Sequence, residues 1–410
     1  MLLSEVAAAS DPAAARAVWQ QAERYLGGGT RDYSRYAADL EISPRFHPQH
    51  GQRSFELPTF LIDPHRGRVL TSRVASTLPA RYRRGDSFLL PVHPETLTDP
   101  AVRAQLAGCP AGPRLRVVPS ANARTVFVEQ WDGQPVEPHF VKLHYPKRLS
   151  RFTRRLRQPV IALHLWVAEE LATIAAPVLP EVGGGVIGDD PAQAWGFLLR
   201  EAAVPATPTL PYVLPLFALY GRDIRAPDHP TLLEQLILAS GQPPAQWVCQ
   251  RLIEPMLTLW ARALLRVGCA IELHGQNTLL CLSADLRTTR IGYRDCAVYV
   301  DPAIRAGRGL SRPLPPRNVI SRDITHPRGH VLSLVYDSFM GHHTLTYVAS
   351  VLRRRFGVAE SVLHRHARRV FNDLLTDRDL LPDTVYYYDD VLHPDGGWRL
   401  VDTGRRPCWR

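Results

Sequence analysis

The sequence predicts an α+β protein built in lobes, a β-rich lobe followed by a mainly helical one. Three observations point there. At 410 residues, 45% hydrophobic and 21% charged, the chain buries a large core and holds two or three domains or lobes. Apolar runs of strand length recur between residues 87 and 201. From 214 onward the apolar pattern lengthens into helical stretches, interrupted by one short pair of strands.

Pro12 to Leu26 reads as one amphipathic helix, stopped by Gly27-Gly28-Gly29. Residues 41–62 have extended character, with prolines at 44, 48 and 58. His47 and His50 within them offer two nitrogens to a metal, but paired histidines in a proline-rich loop also fit a solvated surface. Ser87 to His93 is a short buried strand. Strands at 115–119 and 126–130 flank Ser120-Ala-Asn-Ala-Arg-Thr125, and a third, Pro138 to Leu143, carries Lys142. Arg124, Thr125 and Lys142 are a planar fork, a hydroxyl and a point charge, a set suited to one phosphate group.

Ser150 to Gln158 is expected to begin a helix with Thr153 near its N-terminus, and another helix spans 160–173. Residues 177–193, rich in Gly, Pro and Asp, read as a boundary loop. A strand at 195–201 and a linker at 205–211 come next. Helices are expected near 214–221, 229–239, 244–266, 328–340 and 343–356, and one more within 359–390. In that last stretch Tyr386 to Tyr388 read as strand and core residues rather than as a stacking platform.

The formal charge is +10, and 47 of the 49 basic residues are Arg; the lysines are Lys142 and Lys147. Such a bias drains meaning from the basic excess and lends it to the two lysines. Apart from Arg81–Arg84 and Arg148–Arg157 the charge is dispersed, with no nucleic-acid-binding signature beside it. A basic pocket for a polyanionic small molecule accounts for it, with no nucleic acid as partner. Six scattered cysteines without a CxxC pair fit a reduced, cytoplasmic protein. The first residues lack a basic segment ahead of their apolar run, and 210–220 is short and broken by proline, so neither a signal peptide nor a membrane span is expected.

The stretch richest in chemistry is Glu272-Leu-His274-Gly-Gln276-Asn277, followed by Arg294-Asp295. Apolar runs on both sides place these polar groups at the margin of a core, where they need partners. Glu272 and Asp295 are hard oxygen donors suited to Mg²⁺ beside substrate phosphates. Gln276 and Asn277 both donate and accept, and His274 can bond a phosphate or take a proton. A hydrogen-bonded loop between two core strands would present the same residues.

Trp247 to Asn277, WVCQRLIEPMLTLWARALLRVGCAIELHGQN, resembles the matching region of the IucA/IucC family, the NRPS-independent siderophore (NIS) synthetases. There a helix leads into E-x-H-G-Q-N and an R-D pair follows. Further motifs resemble the family in the same order: His93-Pro94, Arg124-Thr125, Lys142-Leu143, Thr153-x-x-x-Arg157 and Arg200-Glu201. The resemblance implies a cupped-hand fold: a shortened thumb-like region at 1–105, β-rich fingers at 106–205 and a mainly helical palm at 206–410. It implies an ATP- and Mg²⁺-dependent ligase that adenylates a carboxylate and passes the acyl group to an amine or hydroxyl. Citrate, 2-oxoglutarate or a dicarboxylic acid derivative would be the acid, and a homodimer is left open.

By the same resemblance His274, Lys142 and Arg124 are the catalytic set. Ser120, Asn122, Thr125, Arg157, Gln276 and Asn277 join them around ATP; a one-turn shift would choose Arg154 in place of Arg157. Glu272 and Asp295 hold the metal, and His93, His47 and Arg294 are candidates for the substrate. Departures are visible. Gly51 stands where the family has a lysine and Glu95-Thr96 where it has Trp-Gln. Asn122 replaces a serine, with Ser120 two residues earlier, and no lysine follows Lys147. These departures favour the alternative of a degenerate member that binds ATP or a siderophore intermediate without ligating. A kinase-like phosphotransferase would need Gly-rich and HRD-like loops, which the sequence lacks.

Overall fold

The computed structural model describes residues 1–27, 39–203, 210–314, 326–375, 380–392 and 398–410. Helix Pro12–Tyr25 starts where expected, because Asp11 accepts hydrogen bonds from the N–H groups of Ala13 and Ala14, both at 2.8 Å. Pro12 occupies the first turn, where its missing N–H costs nothing. The helix packs against strand Tyr212–Pro215 of the second half. Gly28 and Gly29, expected to stop it, lie outside the described residues, as do 205–209 of the expected linker.

The largest sheet has the strand order Phe55–Leu57, Leu115–Pro119, Thr125–Trp131, Gln134–Leu143, Trp195–Glu201, Glu181–Ile187 and Gly67–Thr71, antiparallel throughout. It draws strands from both sides of the division expected at 105/106. One face packs on Phe88, Val117, Val128, Val141 and Phe197. Helix Gln158–Thr173 covers the other through Ile161 and Leu165, against Val186 and Leu198.

Two expectations fail here for identifiable reasons. Residues 181–187 are not loop but a fully buried strand. Their glycines permit close approach: a Cβ on Gly184 would stand 2.1 Å from the Phe197 carbonyl oxygen. The helix expected from Ser150 is instead a hairpin, Tyr145–Leu149 against Phe152–Arg154, turning at Ser150 with φ 60°. Helix begins only at Gln158, where Pro159 fits the first turn.

The second half is mainly helical, with a three-stranded sheet of Tyr212–Pro215, Thr278–Leu282 and Thr289–Tyr293. The helix expected at 214–221 is thus a strand followed by the single turn Phe217–Tyr220. Pro244–Val248, a π segment Cys249–Ile253 and Glu254–Val267 run on as one helix, closed by Gly268 at φ 72°. Helices expected at 328–340 and 343–356 are one: Arg328–Ser333, the π segment Leu334–Leu345 and Thr346–Phe356. Long π segments are rare and concentrate at functional sites. Among the described residues no helix is long and apolar enough to cross a membrane.

Candidate functional site

A cavity of about 460 Å³ lies between the large sheet and the helical half. Its basic side is built on two adjacent strands. Thr125 and Lys142 are directly opposed in the register of strands Thr125–Trp131 and Gln134–Leu143. This brings Arg124, just before the first strand, close to Lys142 near the end of the second. Both line the cavity and both are buried. Arg124 donates from Nη1 to the Arg154 carbonyl at 2.9 Å, while its Nε has no partner among the described residues. Burial, and then Arg154, pull its pKa down to about 9. Asn122 shapes the turn, its Oδ1 accepting from Arg124 N at 3.1 Å, and it also lines the cavity.

Lys142 reaches across to Asp295, donating at 2.9 and 2.8 Å to its two oxygens. Burial lowers the Lys142 pKa to about 8, a fall that Asp295 limits. Burial by itself would raise Asp295, but Lys142, His164 and Arg200 hold it well below the usual carboxylate range. Asp295 takes a left-handed backbone, φ 80°, which aspartate tolerates better than most residues. His164, Glu181 and Asp295 have ligand atoms within 4.8 Å of one another. Arg200 already donates to Glu181 at 2.9 and 2.6 Å and Lys142 to Asp295, so this trio reads as a charge network already supplied with cations.

The loop 272–277 faces the basic side. Glu272, His274, Gln276 and Asn277 all line the cavity, as does Asp295. His274 accepts from Gln276 N through Nδ1 at 3.3 Å, and burial pulls it down to about 4, so it is a neutral imidazole at pH 7. Burial and then the neighbouring Asp295 push Glu272 up to about 8. Its carboxyl makes no hydrogen bond among the described residues. An unpartnered carboxyl beside a second one, with Gln276 and Asn277 near, is an oxygen donor set that fits Mg²⁺.

Other sequence candidates stand outside this cavity. Arg157 precedes helix Gln158–Thr173 and donates to the Ala192 carbonyl at 3.3 Å; Arg154 and Arg155 line the cavity in its place, because the segment is a hairpin. His93 is wholly buried among Phe46, Phe55 and Tyr145, and burial drives its pKa down to about 3. His47 stacks on His50 and accepts from Gln49 N and His50 N at 3.2 Å, serving the loop. Arg294 is buried against Glu23, donating to both its oxygens, and bonds the Gln276 carbonyl at 2.9 Å. Ser120 is buried in its turn with Asn122, and Thr125 in the sheet. Ser120, Thr125, Arg157, His47, His93 and Arg294 are therefore supports rather than lining groups.

Sequence reasoning also missed residues. Glu23, in helix Pro12–Tyr25, joins Arg294 to the Ala121 N–H at 3.1 Å and so ties the loop before Arg124 to the loop before Asp295. Tyr387 and Tyr388 are strand residues packed against the core, as expected, and they also line the cavity with Phe339, His343 and Trp398. Aromatic runs carry no signal of which face opens on a cavity; that depends on the neighbouring π segment.

The family model described as "Ferric iron reductase FhuF-like transporter" matches residues 245–392. No curated protein matches significantly. Among solved structures, aerobactin synthetase IucA with ATP bound, from a hypervirulent pathotype of Klebsiella pneumoniae, superposes with a TM-score of 0.61 at 16% identity. That match covers 98% of this chain and 81% of the other. Aerobactin synthetase IucC from the same source gives 0.60 at 15%, over 95% and 81%. Petrobactin biosynthesis protein AsbB from Bacillus anthracis str. Sterne gives 0.63 at 14%, over 83% of this chain. The chain spans 65% of AsbB's length. The fold is that of the NIS synthetases, in a mixed α+β chain.

Proposed function

We propose that this chain is an ATP-dependent, AMP-forming ligase that joins a carboxylic acid to an amine or hydroxyl in siderophore assembly. The observation that supports it most is the convergence, in one cavity, of two buried cations from the large sheet and two carboxylates from the helical half. Burying a cation costs several kcal/mol unless it is paired; Lys142 has Asp295, whereas the Nε of Arg124, without a partner among the described residues, can take an anion. A polyphosphate supplies that charge. The synthetase fold and the iron-related family model over 245–392 support the siderophore setting.

In this reading a carboxylate oxygen attacks the α-phosphorus of ATP and pyrophosphate leaves; the amine or hydroxyl then attacks the acyl carbon and AMP leaves. Arg124 and Lys142 bind the phosphoryl oxygens and offset the charge that builds on them. Neutral His274 donates a hydrogen bond from Nε2 to the same oxygens. Glu272 and Asp295 would hold Mg²⁺, which supplies Lewis-acid charge at the phosphates. No protein nucleophile is needed, since positioning and electrostatics carry such chemistry.

The second reading is a protein that binds ATP or a siderophore intermediate without ligating it. What favours it is Asn122 in place of a serine and the absence of lysine after Lys147. The deciding experiment is pyrophosphate release with Mg-ATP across a panel of citrate, 2-oxoglutarate, succinyl monoamides and polyamines. Stimulation by an acid supports the ligase. Tight ATP binding with no release from any member supports the binder.

A further inference from the structure

Beneath the cavity, a layer of charge lies between the large sheet and helix Gln158–Thr173. In the strand register Leu198 is opposed to Lys142, and Arg200 to Glu181. Side chains alternate along a strand, so Lys142, Leu198, Arg200 and Glu181 share one face of the sheet. Leu198 packs with Ile161 and Leu165, which makes this the face that the helix covers. His164 stands between those two helix residues in sequence, on the same side, and is fully buried.

The contacts of His164 define what it can do. Its Nε2 lies 3.3 Å from Lys142 Nζ, and its Nδ1 lies 3.6 Å from a Glu181 oxygen. An ammonium carries only donors, so Nε2 accepts, and the ring proton sits on Nδ1 toward Glu181. Glu181 is itself fixed by Arg200, which donates to it at 2.9 and 2.6 Å. The imidazole is thus oriented from the sheet before it meets the lysine. The other contacts of Lys142 are those to Asp295, at 2.9 and 2.8 Å. Asp295 lines the cavity and His164 does not. An anion entering the cavity therefore competes with Asp295 for the ammonium and leaves the bond to His164 in place.

Taking the ligase reading as premise, we infer that His164 is a positioning residue, the pivot that keeps one N–H of Lys142 while the ammonium turns from Asp295 to the phosphoryl oxygens. A lysine ends in a point charge on a flexible stem, so its aim must be set by something outside the stem. The bond to His164 is present before and after ATP binds. It therefore adds little to affinity, yet it holds the cation where charge builds during attack on the α-phosphorus. Arg200, 4.0 Å from Asp295, stays behind to offset the carboxylate that Lys142 leaves.

The bond is read first on the protein without ligand. His164→Leu should lower the urea midpoint of the wild type, because it strands a buried N–H, and lower that of Lys142→Met by clearly less. Equal shifts in the two backgrounds overturn the inference. The role is then read by calorimetric titration of Mg-ATP and by acid-dependent exchange of pyrophosphate into ATP. His164→Leu should cut the exchange kcat by about tenfold or more, the worth of one hydrogen bond to a charged group, with ATP affinity within about threefold. His164→Gln, whose amide oxygen can accept in place of Nε2, should recover most of that rate. Undiminished exchange in the leucine variant overturns the inference, as does a glutamine variant equally slow, which reduces His164 to packing. If the leucine variant does not fold, His164→Asn, whose amide is too short to reach Lys142, is compared with His164→Gln instead. Exchange in the wild type with equal urea shifts leaves the ligase and removes the pivot. No exchange in the wild type removes the premise and the role with it, while the urea comparison still reads the bond.

Discussion

Lys142 Nζ lies 2.9 and 2.8 Å from the two carboxylate oxygens of Asp295, a contact between residues 153 positions apart in the chain. It joins the large sheet to the loop beyond strand Thr289–Tyr293 and closes the floor of the cavity. The contact also couples two binding events. An anion that recruits Lys142 must draw it from Asp295, and that frees Asp295 for a metal ion. Phosphate and Mg²⁺ are thereby expected to bind more tightly together than apart.

The two lysines should separate cleanly. Lys142 is buried on the cavity, whereas Lys147 pairs with Glu95 at 2.6 Å and does not line it. Lys142→Met should weaken Mg-ATP binding by about 2 kcal/mol, roughly thirtyfold, the worth of a hydrogen bond to a charged group. Lys147→Met should leave ATP affinity within about twofold, since a partly exposed pair contributes little. Calorimetric titration of each variant is the check, and equal losses would remove Lys142 from the phosphate site.

His274 distinguishes ligase from binder. A preorganised donor at the developing charge lowers the barrier more than it tightens the ground state. His274→Ala should reduce acid-dependent pyrophosphate release by about 10²–10³-fold, with a much smaller change in ATP affinity. A parallel fall in affinity and turnover would show that the imidazole binds ATP without assisting the reaction.

Glu272 gives the stability a pH signature. Its folded pKa, pushed up to about 8, exceeds the ordinary carboxylate value, so folding favours the protonated acid. Its contribution is fully present below about pH 4.5 and is lost as pH rises toward 8, by no more than about 1.4 kcal/mol per pH unit. Glu272→Gln should flatten that decline in melting temperature between pH 5 and pH 8, read from thermal denaturation. Mg²⁺ requires the ionised carboxylate, so its stabilisation of the wild type should grow over the same interval. An unchanged pH profile in the Gln variant would place the acid elsewhere.

Glu23 and Arg294 test the scaffold. Both are buried, and Glu23 also accepts from Trp19 Nε1 at 3.0 Å and Ala121 N at 3.1 Å. Removing one member of a buried pair leaves an unpaired charge and typically costs about 3–5 kcal/mol. Glu23→Ala should lose about that much stability in urea denaturation. Glu23→Ala/Arg294→Met should recover part of it, because the stranded guanidinium is gone. A double variant no more stable than the single would place the cost in packing around Trp19.

The sequence by itself determined the class of fold and the neighbourhood of the chemistry. Strand runs such as Leu115–Pro119 and Trp195–Glu201, helix Pro12–Tyr25 and the polar loop 272–277 are local patterns, set by apolar periodicity and turn residues over a few positions. Arg124 and Lys142 were legible as a pair because neighbouring antiparallel strands place them side by side. What tertiary structure decided is which face each side chain meets. The glycines at 183–185 look like a turn until neighbouring backbone closes over them, and Arg154 replaces Arg157 because Pro159 delays the helix. Arg294 falls to Glu23 across 271 residues, and Tyr387 and Tyr388 open on a cavity because a distant π segment packs beside them. Such contacts depend on long-range packing and desolvation, which leave no periodic trace in the chain.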